Sequence, residues 1–411
     1  HIQLLEKTTN FDYIIIGAGA AGLMLANAMV NDDFFSKKSI LLLDKDAKTS
    51  NDRTWCFWEK GEGQFDSIVS KTWNHIYFGS KNFSKDYAIA PYQYKMVQGI
   101  DFYKTYFETL KDSQNVIYRQ QEVLNVKEKG SKILVKTTNA NYSASKVFNS
   151  IFDYKMATHQ KKYPVLQQHF LGWTVKTEKP VFNPDQATYM DFSVQQKGNT
   201  RFMYILPFSE NEALVEYTLF SEKRLSKEEY EDALANYLQK KLKCGSYEIT
   251  EIEKGSIPMT AYSFNEHHTE NLRYIGTAGG WAKPSTGYTF MSTSKKIPVL
   301  ISFLKTGKPL NELSFKNRFW FYDLLFLDVL AKRNGQGHQI FESLFKKCPP
   351  QLIFKFLDEQ TSLFEDLKFI SACPTMPFLK ALFNRILFQN LKVNCHISNI
   401  IFCYLIFLKI C

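Results

Sequence analysis

The 411-residue chain is short of several features that would narrow its class at once. Its seven cysteines (Cys56, Cys244, Cys348, Cys373, Cys395, Cys403 and Cys411) are scattered, odd in number and form no Cys-x-x-Cys pair. A disulfide framework and a zinc centre are therefore not expected, no metal is assigned, and a reducing compartment follows. No run reaches the roughly 18–20 apolar residues that a membrane-spanning helix needs. The closest approach, Ile400 to Leu408, reads as a packed terminal strand or helix, or as a shallow interfacial anchor. The first residues carry neither a charged n-region nor an apolar h-region, so no secretory signal is expected. Residues 1–10 read as a short leader to the first strand, and the missing initial Met points to processing or an incomplete chain. The net charge of +10 is spread over lysine pairs such as Lys161-Lys162 and Lys346-Lys347 rather than gathered into an arginine stripe. No nucleic-acid motif accompanies it, which leaves a solvated basic surface or attraction to an anionic lipid surface.

Glycine is scarce too: 19 residues against 35 Phe and 22 Tyr. Such aromatic content fills a core or lines a long pocket for an apolar ligand. The few glycines are concentrated where they matter. Phe11-Asp-Tyr-Ile-Ile-Ile-Gly17-Ala-Gly19-Ala-Ala-Gly22 is a buried strand running into a glycine turn and an Ala-rich helix. In a dinucleotide-binding turn, Gly17 permits the tight turn, Gly19 lets backbone approach a pyrophosphate, and Gly22 lets the helix sit close to the strand. A second strand ends on Asp44, about 22 residues past Gly22 and placed to accept from a ribose hydroxyl. Some 250 residues later a further strand enters Gly276-Thr-Ala-Gly279-Gly280, followed by Pro284 and Gly287. This turn would close a flavin site from the opposite side, favouring FAD over a mobile NAD(P).

At this length two domains are expected. The pattern predicts a discontinuous nucleotide-binding domain (11–70, 95–160 and 265–310), a sheet domain (71–94 and 161–264), a helical region (311–390) and an apolar tail (391–411). The fold class is α/β: a Rossmann-like FAD-binding domain interleaved with an antiparallel-sheet substrate domain, plus the C-terminal helices. Within it, a helix is expected over 101–110 with Asp101 as N-cap, and another from Ser226, with Glu229 three residues on as in a capping box.

Glu216, in Ala213-Leu-Val-Glu-Tyr-Thr218, follows two apolar residues on a predicted strand, where burial would raise its pKa and keep a proton available. Asp191 in Met-Asp-Phe is a second carboxylate, read equally as a strand-end cap or as catalytic. Arg53 is placed at the flavin or its phosphate, with a salt bridge as the alternative. His169 reads as a satisfied core histidine ahead of a pocket residue. Trp55, Phe57, Trp58, Phe170, Trp173, Tyr204 and Tyr288 are candidate walls for a cation.

An ordered set of words through residues 11–380 resembles the bacterial lycopene β-cyclase family. They include the N-terminal GAGAAG, Asp52-Arg-Thr-Trp-Cys-Phe-Trp58, Leu166-Gln-Gln-His-Phe-Leu-Gly-Trp173, Phe202-Met-Tyr-Ile-Leu-Pro207, Gly255-Ser-Ile-Pro258-Met, and Gly276 through Phe290. The resemblance implies a flavoenzyme of the intramolecular lyase/isomerase type that closes the ψ-ends of lycopene into β-rings without net redox change. Reduced FAD would be its cofactor and NADPH its external reductant. It implies a catalytic role for Glu216, at the first Glu of the family's Phe-Leu-Glu-Glu-Thr-type motif; here the next residue is Tyr217 rather than an acid. A cytoplasmic protein resting on the inner membrane face is expected, since a C40 hydrocarbon partitions into the bilayer. Two other readings stand beside this one: a flavin monooxygenase or polyprenyl reductase of the same fold, and a non-catalytic prenyl-lipid binding protein.

Overall fold

The computed structural model describes residues 8–388. The first strand, Thr8–Ile16, lies between Ile40–Asp44 and Asn141–Asn149, and all three run parallel. Val116–Gln120 extends the parallel sheet beyond Ile40–Asp44, and Leu272–Tyr274 joins it against Asn141–Asn149. An antiparallel hairpin, Val123–Lys129 with Lys132–Thr137, completes it. Ile14, Ile15 and Ile16 are buried on both faces, which is why this strand shows a continuous apolar run rather than alternation. The helix Ala20–Val30 leaves its end directly, and Phe290–Leu304 packs beside it in one core built on Leu23, Ile297 and Leu300.

A second seven-stranded sheet carries Tyr247–Thr260, Val165–Thr177, Glu212–Ser221, Thr200–Pro207 and Gln186–Asp191 side by side, all antiparallel. The strand His75–Gly79 adds to its edge in parallel orientation, so the sheet is antiparallel with one exception. Its two faces have different partners. Leu171, Trp173, Val215, Tyr217 and Leu219 pack on one side against the helix Lys227–Asn236. On the other, Phe202, Leu206, Leu214 and Phe220 pack toward the C-terminal helices, which run from Arg318–Arg333 to Thr375–Phe388. A three-stranded sheet, Thr54–Lys60, Val69–Trp73 and Tyr92–Gln98, contributes aromatic side chains to both of the large cores.

Ser226 caps its helix as expected, accepting from the Glu229 amide at 3.3 Å, but the capping box does not close, because the Glu229 carboxylate accepts from Arg201 at 2.8 Å instead. The helix predicted from Asp101 starts earlier: it spans Gly99–Lys111 with Gln98 at the N-cap, and Asp101 sits in its first turn. Gly99 accounts for the shift, because it tucks against Arg53, and a Cβ there would lie 3.0 Å from the Arg53 carbonyl oxygen. The apolar stretch 400–408 lies outside the described residues. Among the described residues, no helix is long and apolar enough to cross a membrane.

One buried ion pair ties the helical region together. Arg385 donates from Nε and Nη2 to the two oxygens of Asp328, both at 2.6 Å, and from Nη1 to the Lys162 carbonyl at 2.7 Å. Asp328→Ala removes the carboxylate that neutralises this buried guanidinium, so a loss of about 3–5 kcal/mol is expected. Chemical denaturation checks this; a change below about 1 kcal/mol would show that the pair is dispensable.

Candidate active site

The three parts of the fold enclose one cavity of about 680 Å³. Gly19, Ala20, Ala21, Arg53, Gly276 and Thr277 contribute to its wall from the two glycine turns and the segment before Thr54–Lys60. Glu216, Glu253, Tyr204 and Tyr288 line it from the second sheet and the loop after Gly280, and Phe341, Phe345, Phe369 and Phe378 from the C-terminal helices.

At the first turn each glycine has its own constraint. Gly17 has φ +97°, in the left-handed region, and a Cβ on it would collide with the Ser150 hydroxyl. A Cβ on Gly22 would lie 1.8 Å from the Gly17 carbonyl oxygen, whereas one on Gly19 would meet no atom within 4 Å. Gly22 therefore sets helix-to-strand contact, and Gly19 faces open space at the cavity. Asp44 accepts from the Ala18 amide at 2.6 Å through Oδ2, bracing the turn, and its Oδ1 accepts from the Asp46 amide. The second turn meets the first directly: a Cβ on Gly276 would lie 2.9 Å from that of Ala21. Gly287 lines the cavity, while Gly279, Gly280 and Pro284 lie behind its wall; Gly279 packs on the Tyr274 carbonyl and Gly280 on Phe264. Arg53 lines the cavity, and among the described residues no carboxylate lies within ion-pair distance of its guanidinium.

Glu216 is 7% exposed and faces the cavity. Its Oε1 accepts from the Thr218 hydroxyl at 2.5 Å. Burial first, and then the charge of Glu253, push its carboxyl well above the usual range, outweighing the Thr218 hydrogen bond. Burial likewise raises Glu253, whose Oε2 accepts from Thr54 at 3.1 Å and whose carboxyl hydrogen-bonds Glu216. Two carboxyl groups this close disfavour ionisation of both at once.

Beside them Tyr204 stands directly across from Glu216 in the neighbouring strand. Its hydroxyl bonds that of Tyr94 at 2.6 Å, and Tyr94 lies 3.2 Å from the Tyr288 hydroxyl. Burial holds these phenols well above their ordinary range and pushes the adjoining Cys56 thiol up to about 12, so all stay neutral. On this side of the acid the wall is thus rich in π-electrons, and its phenols and thiol carry no charge.

Several expected site residues fall elsewhere. Asp191 is fully buried outside the cavity, accepting from Tyr237 at 2.6 Å and from the Ser193 amide at 2.9 Å. An irregularity in the strand pairing places Tyr189 and Met190 at the cavity, while the Asp191 carboxylate closes the strand end on the Ser193 amide. His169 is also buried away from the cavity, bonded to Ser221 and Tyr230, and burial lowers its pKa to about 4. Of the aromatic walls, Trp55, Phe170, Tyr204 and Tyr288 line the cavity. Phe57, Trp58 and Trp173 belong to the packed cores. Tyr217 points to the opposite sheet face with Arg201, so an acid at that position would not reach Glu216. The second carboxylate is instead Glu253, absent from the sequence reading.

A Rossmann-type glycine turn joined to an antiparallel-sheet domain over a deep cavity defines a class of fold. Solved structures agree on the fold. A geranylgeranyl bacteriochlorophyll reductase-like protein from Thermoplasma acidophilum superposes with TM-score 0.55 at 11% identity, covering 93% of this chain and 98% of its own. The p-nitrophenol 4-monooxygenase PnpA from Pseudomonas putida gives 0.56 at 12% identity, covering 92% and 98%. A variant of the halogenase PltM in complex with FAD gives 0.57 at 11%, covering 90% and 85%. Within that class, the model of the lycopene cyclase protein family matches residues 12–383, and the chain belongs to this family. A lycopene beta-cyclase from Paracoccus sp. is 25% identical over 244 residues, 56% of this chain and 62% of that protein's length.

Proposed function

We propose that this protein is a lycopene β-cyclase that uses Glu216 as its acid. The observation that carries the reading is the buried Glu216 carboxyl, its pKa raised by burial and by Glu253, facing a cavity whose wall beside it carries Tyr204 and Tyr288 and whose helical side carries Phe341, Phe345 and Phe369. Protonating the terminal trisubstituted alkene of a ψ-end makes a tertiary cation. The neighbouring double bond attacks it, and loss of a ring proton sets the β double bond. Such a reaction needs an acid that stays loaded at neutral pH, electron-rich neutral walls and exclusion of water. Glu216 supplies the first, Tyr204 and Tyr288 the second, and the C-terminal helices over the cavity the third.

The residues present fit FAD. The open space at Gly19, the start of the helix Ala20–Val30 and the unpaired Arg53 suit a pyrophosphate, and the abutting Gly276 turn suits the rest of the cofactor. When bound, reduced FAD supplies an electron-rich ring system that stabilises positive charge. NADPH is the proposed reductant. In this reading residues 11–70, 95–160 and 265–310 hold the cofactor, and 71–94 with 161–264 and the helices of 311–390 hold the carotenoid. The product is β-carotene by way of γ-carotene, made at the inner face of the membrane.

Expression in cells that accumulate lycopene, followed by pigment chromatography, tests the proposal. Conversion to β-ring products is expected, with no stoichiometric consumption of NADPH. Unchanged lycopene beside a folded, flavin-loaded protein would refute it, and NADPH consumed one-for-one with a hydroxylated or saturated product would assign the monooxygenase or reductase reading instead.

A further inference from the structure

Glu216 and Glu253 belong to strands that are not neighbours. Val165–Thr177 runs between them, and Gly172 is paired with Glu216 on one side and with Glu253 on the other. A Cβ at Gly172 would lie 3.2 Å from Glu253 Cγ and 3.5 Å from Glu216 Cβ. The missing side chain leaves the gap in which the two carboxyl groups meet, the role expected of a strand glycine where other groups approach closely. We propose that Glu253 is a positioning residue for the acid: it shares one proton with Glu216 and directs that proton to the carboxyl facing the cavity. This rests on the cyclase reading.

The two ends of the pair differ in a way that sets the direction. Glu216 is the deeper, with the Thr218 hydroxyl, Cys56 and Tyr204 around it. Glu253 is partly exposed, accepts the Thr54 hydroxyl, and lies in the field of Arg53 as well as of Glu251. The guanidinium and the hydroxyl favour the charge on Glu253, so the proton resides on Glu216. In the reaction the Glu216 O–H bond breaks as a C–H bond forms on the less substituted carbon of the terminal alkene, leaving the cation on its dimethyl carbon. The ring C–C bond closes, and the ring C–H bond that breaks returns its proton to the carboxylate pair. Nothing is oxidised or reduced, and the pair ends with the one proton it began with.

Glu253→Gln removes the like charge but leaves an isosteric side chain. The alkaline limb of the kcat–pH profile is expected to move toward lower pH, with turnover falling about tenfold for each pH unit beyond it, while flavin content is retained. Glu253→Asp should restore the limb. Gly172→Ala, which wedges the pair apart from a different strand, should displace it in the same direction. Infrared difference spectra in H2O and D2O give a readout without turnover. A carboxylic C=O band should be present in the wild-type protein at neutral pH, absent in Glu216→Gln, and should titrate at lower pH in Glu253→Gln. An unmoved profile and band in Glu253→Gln, or a uniform loss of kcat at all pH values, would overturn the role of Glu253. Failure of the wild-type protein to cyclise lycopene while the band behaves as described would reject the cyclase reading alone.

Discussion

Glu216→Gln is expected to abolish ring formation while the protein stays folded and flavin-bound. The amide is nearly isosteric and can still accept the Thr218 hydrogen bond, so the strand pairing around position 216 is preserved. It has no acidic proton to give. Positioned general acids contribute about 10²- to 10⁴-fold; of the other buried or half-buried carboxyls at the cavity, Asp323 is ion-paired with Lys283 and Glu253 lies in the field of Arg53. Pigment chromatography should therefore show β-ring product at about 1% of wild type or less, against unchanged flavin absorbance. Near-normal β-carotene from this variant would remove Glu216 from the acid role. Asp191→Asn is the informative contrast. Asp191 accepts from Tyr237 and the Ser193 amide outside the cavity, so its replacement should lower thermal stability and leave turnover per folded molecule unchanged.

The carboxylates differ in how readable they were. Glu216 could be located because strand alternation is local: Leu214, Glu216 and Phe220 share the cavity face, and Ala213, Val215, Tyr217 and Leu219 share the other. That periodicity also shows why a tandem Glu at 217 would not have formed a pair with Glu216. Glu253 depends on register between strands far apart in sequence, which no single segment encodes. One signal was available, the glycine at 172 between Leu171 and Trp173 in the middle of a strand. Asp191 was misleading for the opposite reason, since an irregularity in the strand pairing overrides simple alternation around Met190. The glycine turns were legible because their requirements are steric and local: a positive φ at Gly17 and contact between Gly22 and backbone five residues earlier. Their meeting, Gly276 against Ala21, is a tertiary contact that spacing alone could not establish.

Gly22→Val is expected to give a destabilised protein without flavin. Even the first added carbon would lie 1.8 Å from the Gly17 carbonyl oxygen and 3.3 Å from Ile15 Cγ2. The obstacle is backbone, so no rotamer change relieves it, and the helix Ala20–Val30 must lift from the strand Thr8–Ile16. Overpacking against side chains costs about 1–3 kcal/mol; against a carbonyl oxygen in the centre of a core, the upper end or more is expected. The displaced helix also takes its N-terminus away from the cavity, so flavin absorbance and thermal stability fall together. Gly19→Ala separates these two effects. Gly19 has φ −80° and open space at its Cβ position, so alanine there is tolerated by the fold. The methyl group would occupy the side from which a pyrophosphate approaches. The expected result is an unchanged melting temperature for the apoprotein with weakened FAD binding. If Gly19→Ala bound FAD as tightly as wild type, the cofactor would not lie against this turn, and the glycines would be serving the fold alone.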